Sequence, residues 1–115
     1  MHPEKIFIGW TTVDSAELAN QLAAGLVAAR LAGCVVVDGP VTSHYVWKAK
    51  QERAQEWRLT VKFPADRATE ILAWLKAHHP YENPQWVAVE AASVSAPFRQ
   101  WVVDNTRAPF MVRKK

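Results

Sequence analysis

Cysteine is almost missing: Cys34 is the sole one in 115 residues, so an internal disulfide and a four-thiolate zinc site are both excluded. The core must hold without covalent help, and a reducing cytoplasm is the expected setting. Glycine is scarce as well, with four residues far apart, which leaves no Gly-rich phosphate loop and no Gly-x-Ser-x-Gly nucleophile elbow. No stretch reaches the ~18 uninterrupted apolar residues of a membrane span. Residues 1–5 lack a basic stretch followed by an apolar core, so the chain is expected to be unexported, with no membrane partner. Charge of one sign is also in short supply. Lys and Arg number 14 against 11 Asp and Glu, a net +3 spread along the chain apart from the Arg113-Lys114-Lys115 tail, and that is a thin basis for binding nucleic acid.

What is present is apolar bulk. A chain that is 50% hydrophobic and 22% charged fits one compact domain over 1–115. Six tryptophans, at 10, 47, 57, 74, 86 and 101, weigh more than the charge does. Such rings concentrate in cores and at protein contacts, so some are expected to be buried only by a partner subunit.

The β-forming run over 5–12 predicts a central strand. Asp14-Ser15-Ala16-Glu17 resembles a capping box with Asp14 as the cap. Leu18, Leu22 and Leu26 then trace a helical stripe that runs to Leu31, with Gly33 as its stop. A second strand starts at Cys34 and is interrupted at Asp38-Gly39-Pro40, where a bulge or bend is expected. Two β-prone runs, 42–50 and 55–63, flank Gln51-Glu52-Arg53-Ala54 and predict a long hairpin. In its second arm Trp57, Leu59, Val61 and Phe63 point to a buried face, while Glu56, Arg58, Thr60 and Lys62 point to a polar one. A helix over 65–78 carries Ile71, Leu72 and Leu75, and Pro80 forbids its continuation. A loop over 81–84, a strand over 86–94 and a short helix opened by Ser95-Ala96-Pro97 complete the chain.

That order is the split βαβ arrangement of ferredoxin-like α/β (α+β) folds, βαββαβ, with a long β-hairpin and a C-terminal helix added. With both main helices on one face of an antiparallel sheet, the other face needs cover that one small chain cannot supply. Oligomerisation is expected to provide it.

Candidate chemistry is sparse. His78 and His79 form the only His pair, without the two-His helical signature of a zinc enzyme. They read either as a helix C-terminus, where the dipole favours a protonated imidazole, or as two ligands of one ion. Cys34 opens an apolar strand and reads as a buried structural residue that function does not require. Tyr45 and Trp47 alternate on the hairpin's first arm. They read as packing on a neighbouring subunit, or alternatively as a base-stacking surface. RNA-recognition domains share the topology, but their third strand carries a Gly-containing aromatic motif that 55–63 lacks. No nucleophile and base can be paired, so a hydrolase is not expected.

Three blocks resemble the CutA family of divalent-cation-tolerance proteins: Ala29-Arg30-Leu31-Ala32-Gly33-Cys34-Val35; Thr42 to Lys50 followed by Glu52, Glu56 and Lys62; and His78-His79-Pro80-Tyr81-Glu82-Asn83-Pro84. The resemblance implies a ferredoxin-like subunit in a non-catalytic homotrimer, with long hairpins joined to neighbouring sheets and kinship to PII signalling proteins. It also implies a link to copper and other divalent cations, carried over onto His78 and His79. The clefts between subunits would be lined by Glu56, Lys62, Tyr81 and Glu82, with Tyr45 and Trp47 at the interface. The chain departs from the family at Trp10, where some members have a cysteine, and at Val36, Ala49 and Phe63. The alternative function is a PII-like sensor of a small anionic metabolite, anchored by Lys50 and Lys62.

Overall fold

The computed structural model describes residues 4–107. Its elements run β1 (Ile6–Val13), α1 (Ala16–Ala28), β2 (Cys34–Trp47), β3 (Lys50–Pro64), α2 (Ala68–His78), β4 (Val87–Glu90) and α3 (Ala96–Asp104), with a 3-10 turn at Ala65–Arg67 before α2. The sheet has four strands in the order β2-β3-β1-β4, and every neighbouring pair is antiparallel. This is the ferredoxin-like order that the chain pattern predicts.

β3 is central because it pairs with both β2 and β1. Side chains alternate along it, so Leu59, Val61 and Phe63 are fully buried against Leu22 and Leu26 of α1 and Ile71 and Leu75 of α2. The two helices meet where Trp74 lies over Gly25, leaving no room for a Cβ at that position. Trp86 sits against Gly9 of β1 in the same way. Just before β2, Val102 of α3 packs onto Gly33. The Arg67 guanidinium donates to the Thr106 carbonyl at 2.6 and 2.8 Å, tying the 3-10 turn to the end of α3.

The opposite face carries two rows across the sheet, Val36-Thr60-Trp10-Val87 and Cys34-Lys62-Ile8-Val89. Val36, Val87 and Val89 remain 46%, 55% and 46% exposed. Cys34 therefore corrects an expectation: it is half-buried, not buried. Its apolar neighbours Val35 and Val37 pair with the core residues Val61 and Leu59, and parity sends Cys34 to the face that the helices leave open.

Local signals differ from the sequence reading in three further places. Ser15, not Asp14, caps α1, its hydroxyl accepting from the Leu18 N–H at 3.1 Å. The helix stops at Ala28, before Gly33, because Arg30 takes the left-handed conformation with φ 59°. Arg30 N–H then bonds the Val27 carbonyl and Leu31 N–H the Leu26 carbonyl, a Schellman motif with arginine in the usual glycine place. The hairpin turns at Lys48 and Ala49, and Gln51-Glu52-Arg53-Ala54 belongs to β3. One extra residue of β2 between Asp38 and Val41 makes the expected bulge. Beside it Arg58 grips Asp38 with two bonds of 3.2 and 2.7 Å, which hold the Asp38 carboxyl below its ordinary value.

The hairpin tip yields a prediction. Lys48 and Ala49 have φ of 50° and 68°, as a two-residue type I′ turn requires, yet neither is glycine or asparagine. Ala49→Gly should raise stability by roughly 0.5–1 kcal/mol by removing the left-handed strain. A urea midpoint that falls or stays unchanged would contradict this.

Candidate functional site

The segment leaving α2 builds the site. The backbone N–H of His79 still bonds the Leu75 carbonyl, and Pro80 prevents another turn. His79 turns its ring back onto the end of β1, where Nε2 lies 3.0 Å from the Thr12 carbonyl and 3.1 Å from Thr11 Oγ1. Its Nδ1 accepts the Tyr81 N–H at 3.1 Å. Nδ1 therefore carries no proton, and the neutral ring donates from Nε2 to Thr12. Burial holds His79 below its ordinary value, outweighing the Thr12 bond and the Glu56 and Asp14 charges that act the other way.

Fixing His79 fixes Tyr81. The two rings meet edge to face at 4.9 Å, and the Tyr81 hydroxyl donates to Glu56 Oε2 at 2.6 Å. Burial, then this bond to Glu56, pushes the phenol well above its ordinary value, so Tyr81 stays a donor. Glu56 itself is buried, two residues beyond Arg58 on β3 and just past the end of β1. A groove of about 670 Å³ opens above it, walled by Ser43, Tyr45 and Trp47 of β2 and by Tyr81 and Glu82 of the loop.

The groove gathers Glu56, Tyr81 and Glu82, the expected cleft residues, with Tyr45 and Trp47, which were expected as packing residues. Lys62 does not join them. It lies six residues farther along β3, roughly 20 Å away at strand rise, beside a smaller hollow of about 250 Å³ with Ile8, Ser95 and Phe98. Lys50 pairs with Trp47 beside the turn and does not line the groove.

The two histidines of the pair are held apart. Both nitrogens of His79 are occupied by the chain's own backbone and Thr11. His78 stacks on Trp74 with centroids 4.0 Å apart, and its Nδ1 bonds the Trp74 carbonyl at 2.8 Å. Of the pair's four ring nitrogens, only Nε2 of His78 has no hydrogen-bond partner among the described residues. Among those residues no group of three or more His, Cys, Asp or Glu side chains is placed to hold a metal ion, and the two imidazoles do not converge on one point within the chain. The contact of His79 with Thr11 and Thr12 has no signature in spacing, because it joins residues 67 and 68 positions apart.

Comparison with known proteins agrees with this architecture. The family model described as CutA1 divalent ion tolerance protein matches residues 7–105. The divalent-cation tolerance protein CutA of Thermus thermophilus is 36% identical over 95 residues, 83% of this chain and 92% of that protein. The Citrobacter koseri protein of the same name is 30% identical over 105 residues, 91% of this chain and 90% of its own. Among solved structures, CutA1 from Ehrlichia chaffeensis superposes with a TM-score of 0.87 at 25% identity, covering 93% of this chain and all of that one. The Thermus thermophilus structure gives 0.85 at 33% identity, over 89% of this chain and 99% of its own.

The buried imidazole makes stability pH-dependent. A folded-state value below the unfolded one means that the unfolded chain binds the proton more readily, so stability is full above about pH 6.5 and declines as pH falls below it. His79→Gln should lower the melting temperature at pH 7.5 and flatten its decline between pH 7.5 and 5.5. The same slope in the variant and the parent would contradict the role given to His79.

Proposed function

The chain belongs to the CutA1 divalent ion tolerance family, and from that premise we propose that it works as a homotrimer in the response to copper and other divalent cations, without a catalytic step. The observation that carries the trimer is the open sheet face. Val36, Val87 and Val89 are about half exposed there, in register with Trp10 and Ile8. Apolar residues gathered on one sheet face favour burial against another copy, and closed rotational symmetry does this without leaving a free edge. Tyr45, Val46 and Trp47, all exposed near the hairpin tip, extend the same tendency outward.

The divalent ion enters this reading as a ligand shared between chains. One chain offers the Nε2 of His78, an imidazole donor suited to copper, and the remaining donors come from another subunit or from water. Among the described residues no hydrogen bond joins the Ser43 hydroxyl to the His44 imidazole in the groove lining, the Tyr81 hydroxyl is bound to Glu56, and His79 is committed to β1. That arrangement supports a binding protein over an enzyme. The groove lining includes His44 but no lysine or arginine, so neither Lys50 nor Lys62, the anchors of the anionic-metabolite reading, stands at that place.

Light scattering at micromolar concentration should give three times the 13.0 kDa chain mass, and a monomer mass would overturn the trimer. Copper(II) titration of that trimer should show binding that weakens about tenfold or more in His78→Ala and that exceeds zinc binding. His79→Gln should leave copper affinity unchanged. Equal copper binding in His78→Ala would move the ion elsewhere.

A further inference from the structure

We propose that Trp74 is the positioning residue for the divalent ion: its indole holds the His78 imidazole in place, and its carbonyl selects the tautomer that presents Nε2 to the metal. This rests on the divalent-ion reading and deepens it, since it says how one chain readies its one donor.

The hydrogen bond is the first support. His78 Nδ1 lies 2.8 Å from the Trp74 carbonyl oxygen, and a carbonyl only accepts, so on the neutral ring the proton sits on Nδ1. Nε2 keeps its lone pair and has no partner among the described residues. Ligating imidazoles are oriented in this way, with the second nitrogen donating to a carbonyl or a carboxylate. His79 shows the contrast one residue on. Its Nδ1 accepts the Tyr81 N–H and its Nε2 donates to β1, so it holds the opposite tautomer with no nitrogen left to give.

The stack is the second support. His78 is exposed, and an exposed ring ordinarily turns among several rotamers. Here it lies on the indole of Trp74, with centroids 4.0 Å and planes 17° apart. The indole is itself fixed, wedged over Gly25 of α1 and packed against the core. Its negative face also favours the positive charge that a bound metal places on the imidazole. α2 packs on the side of the sheet opposite Val36, Val87 and Val89, so the face that the proposed trimer covers is not the one that carries this stack.

One arm of the test needs no metal. Long-range proton–nitrogen NMR of the full-length protein with isotope-labelled histidine, at about pH 8.5, well above the ordinary imidazole value, should show His78 as the Nδ1–H tautomer and His79 as the Nε2–H tautomer, with His78→Ala assigning the signals. In Trp74→Leu, His78 should become a mixture of tautomers, and Trp74→Phe, which keeps an aromatic face, should restore the parent pattern. The other arm is copper(II) titration of the same proteins. Trp74→Leu should bind about tenfold more weakly, as loss of an outer-shell partner does, and Trp74→Phe should stay within about threefold of the parent. An Nε2–H tautomer at His78 in the parent would overturn the proposal, and that result does not depend on Trp74→Leu folding. An unchanged tautomer in Trp74→Leu would overturn it as well. Parent-like copper binding in Trp74→Leu, beside a loss in His78→Ala, would overturn it and leave the divalent-ion reading standing. Parent-like binding in His78→Ala would overturn both.

Discussion

The register of β3 is the constraint on which the rest of the molecule depends. It pairs with β1 from Trp57 to Pro64 and with β2 along nearly its whole length, so a slip of one residue would exchange both faces at once. Held in place, it commits Leu59, Val61 and Phe63 to the helices and leaves Thr60 and Lys62 among the half-exposed valines. The bulge between Asp38 and Val41 absorbs the one mismatch, and the Arg58–Asp38 pair stands where the ladder is interrupted. That pair is exposed, so its worth lies in local geometry more than in net stability.

The groove is a by-product of unequal strand lengths. β1 ends at Val13, opposite Trp57, while β3 and β2 continue to the hairpin turn. Past that end Glu56 has no β1 neighbour, and the loop after α2 closes over it. His79 anchors the loop to β1 and Tyr81 caps Glu56, so each contact depends on the one before. A buried polar chain of this kind holds one loop geometry because the alternatives leave donors or acceptors unpaired.

Much of the fold was legible because it rests on period. Alternation over 57–63 and the helical stripes of Leu22, Leu26, Ile71 and Leu75 are properties that any homologous core needs. The hairpin turn was not legible: Lys48 and Ala49 adopt positive φ without turn-forming identities, whereas polar Gln51-Glu52-Arg53-Ala54 mimics a loop because that part of the strand pair is exposed. Cys34 opens an apolar strand, which suggests burial, while parity places it on the open face. Of the site, Glu56, Tyr81 and Glu82 were found by resemblance and do meet, whereas Lys62 is a full strand segment away. The pairing of His78 with His79 dissolves because the helix ends between them, and consecutive residues then face α2 and β1 respectively.

The half-exposed apolar residues of the open sheet face are what the proposed trimer would cover. In the proposed trimer, copies meeting on Val36, Trp10 and Val87 would remove that surface from water. Val36→Lys places a charge in the middle of that face while touching no core residue of the single chain. Sedimentation equilibrium of this variant tests the claim most directly: the account predicts a shift from trimer to folded monomer, and a trimer mass equal to that of the parent would contradict it.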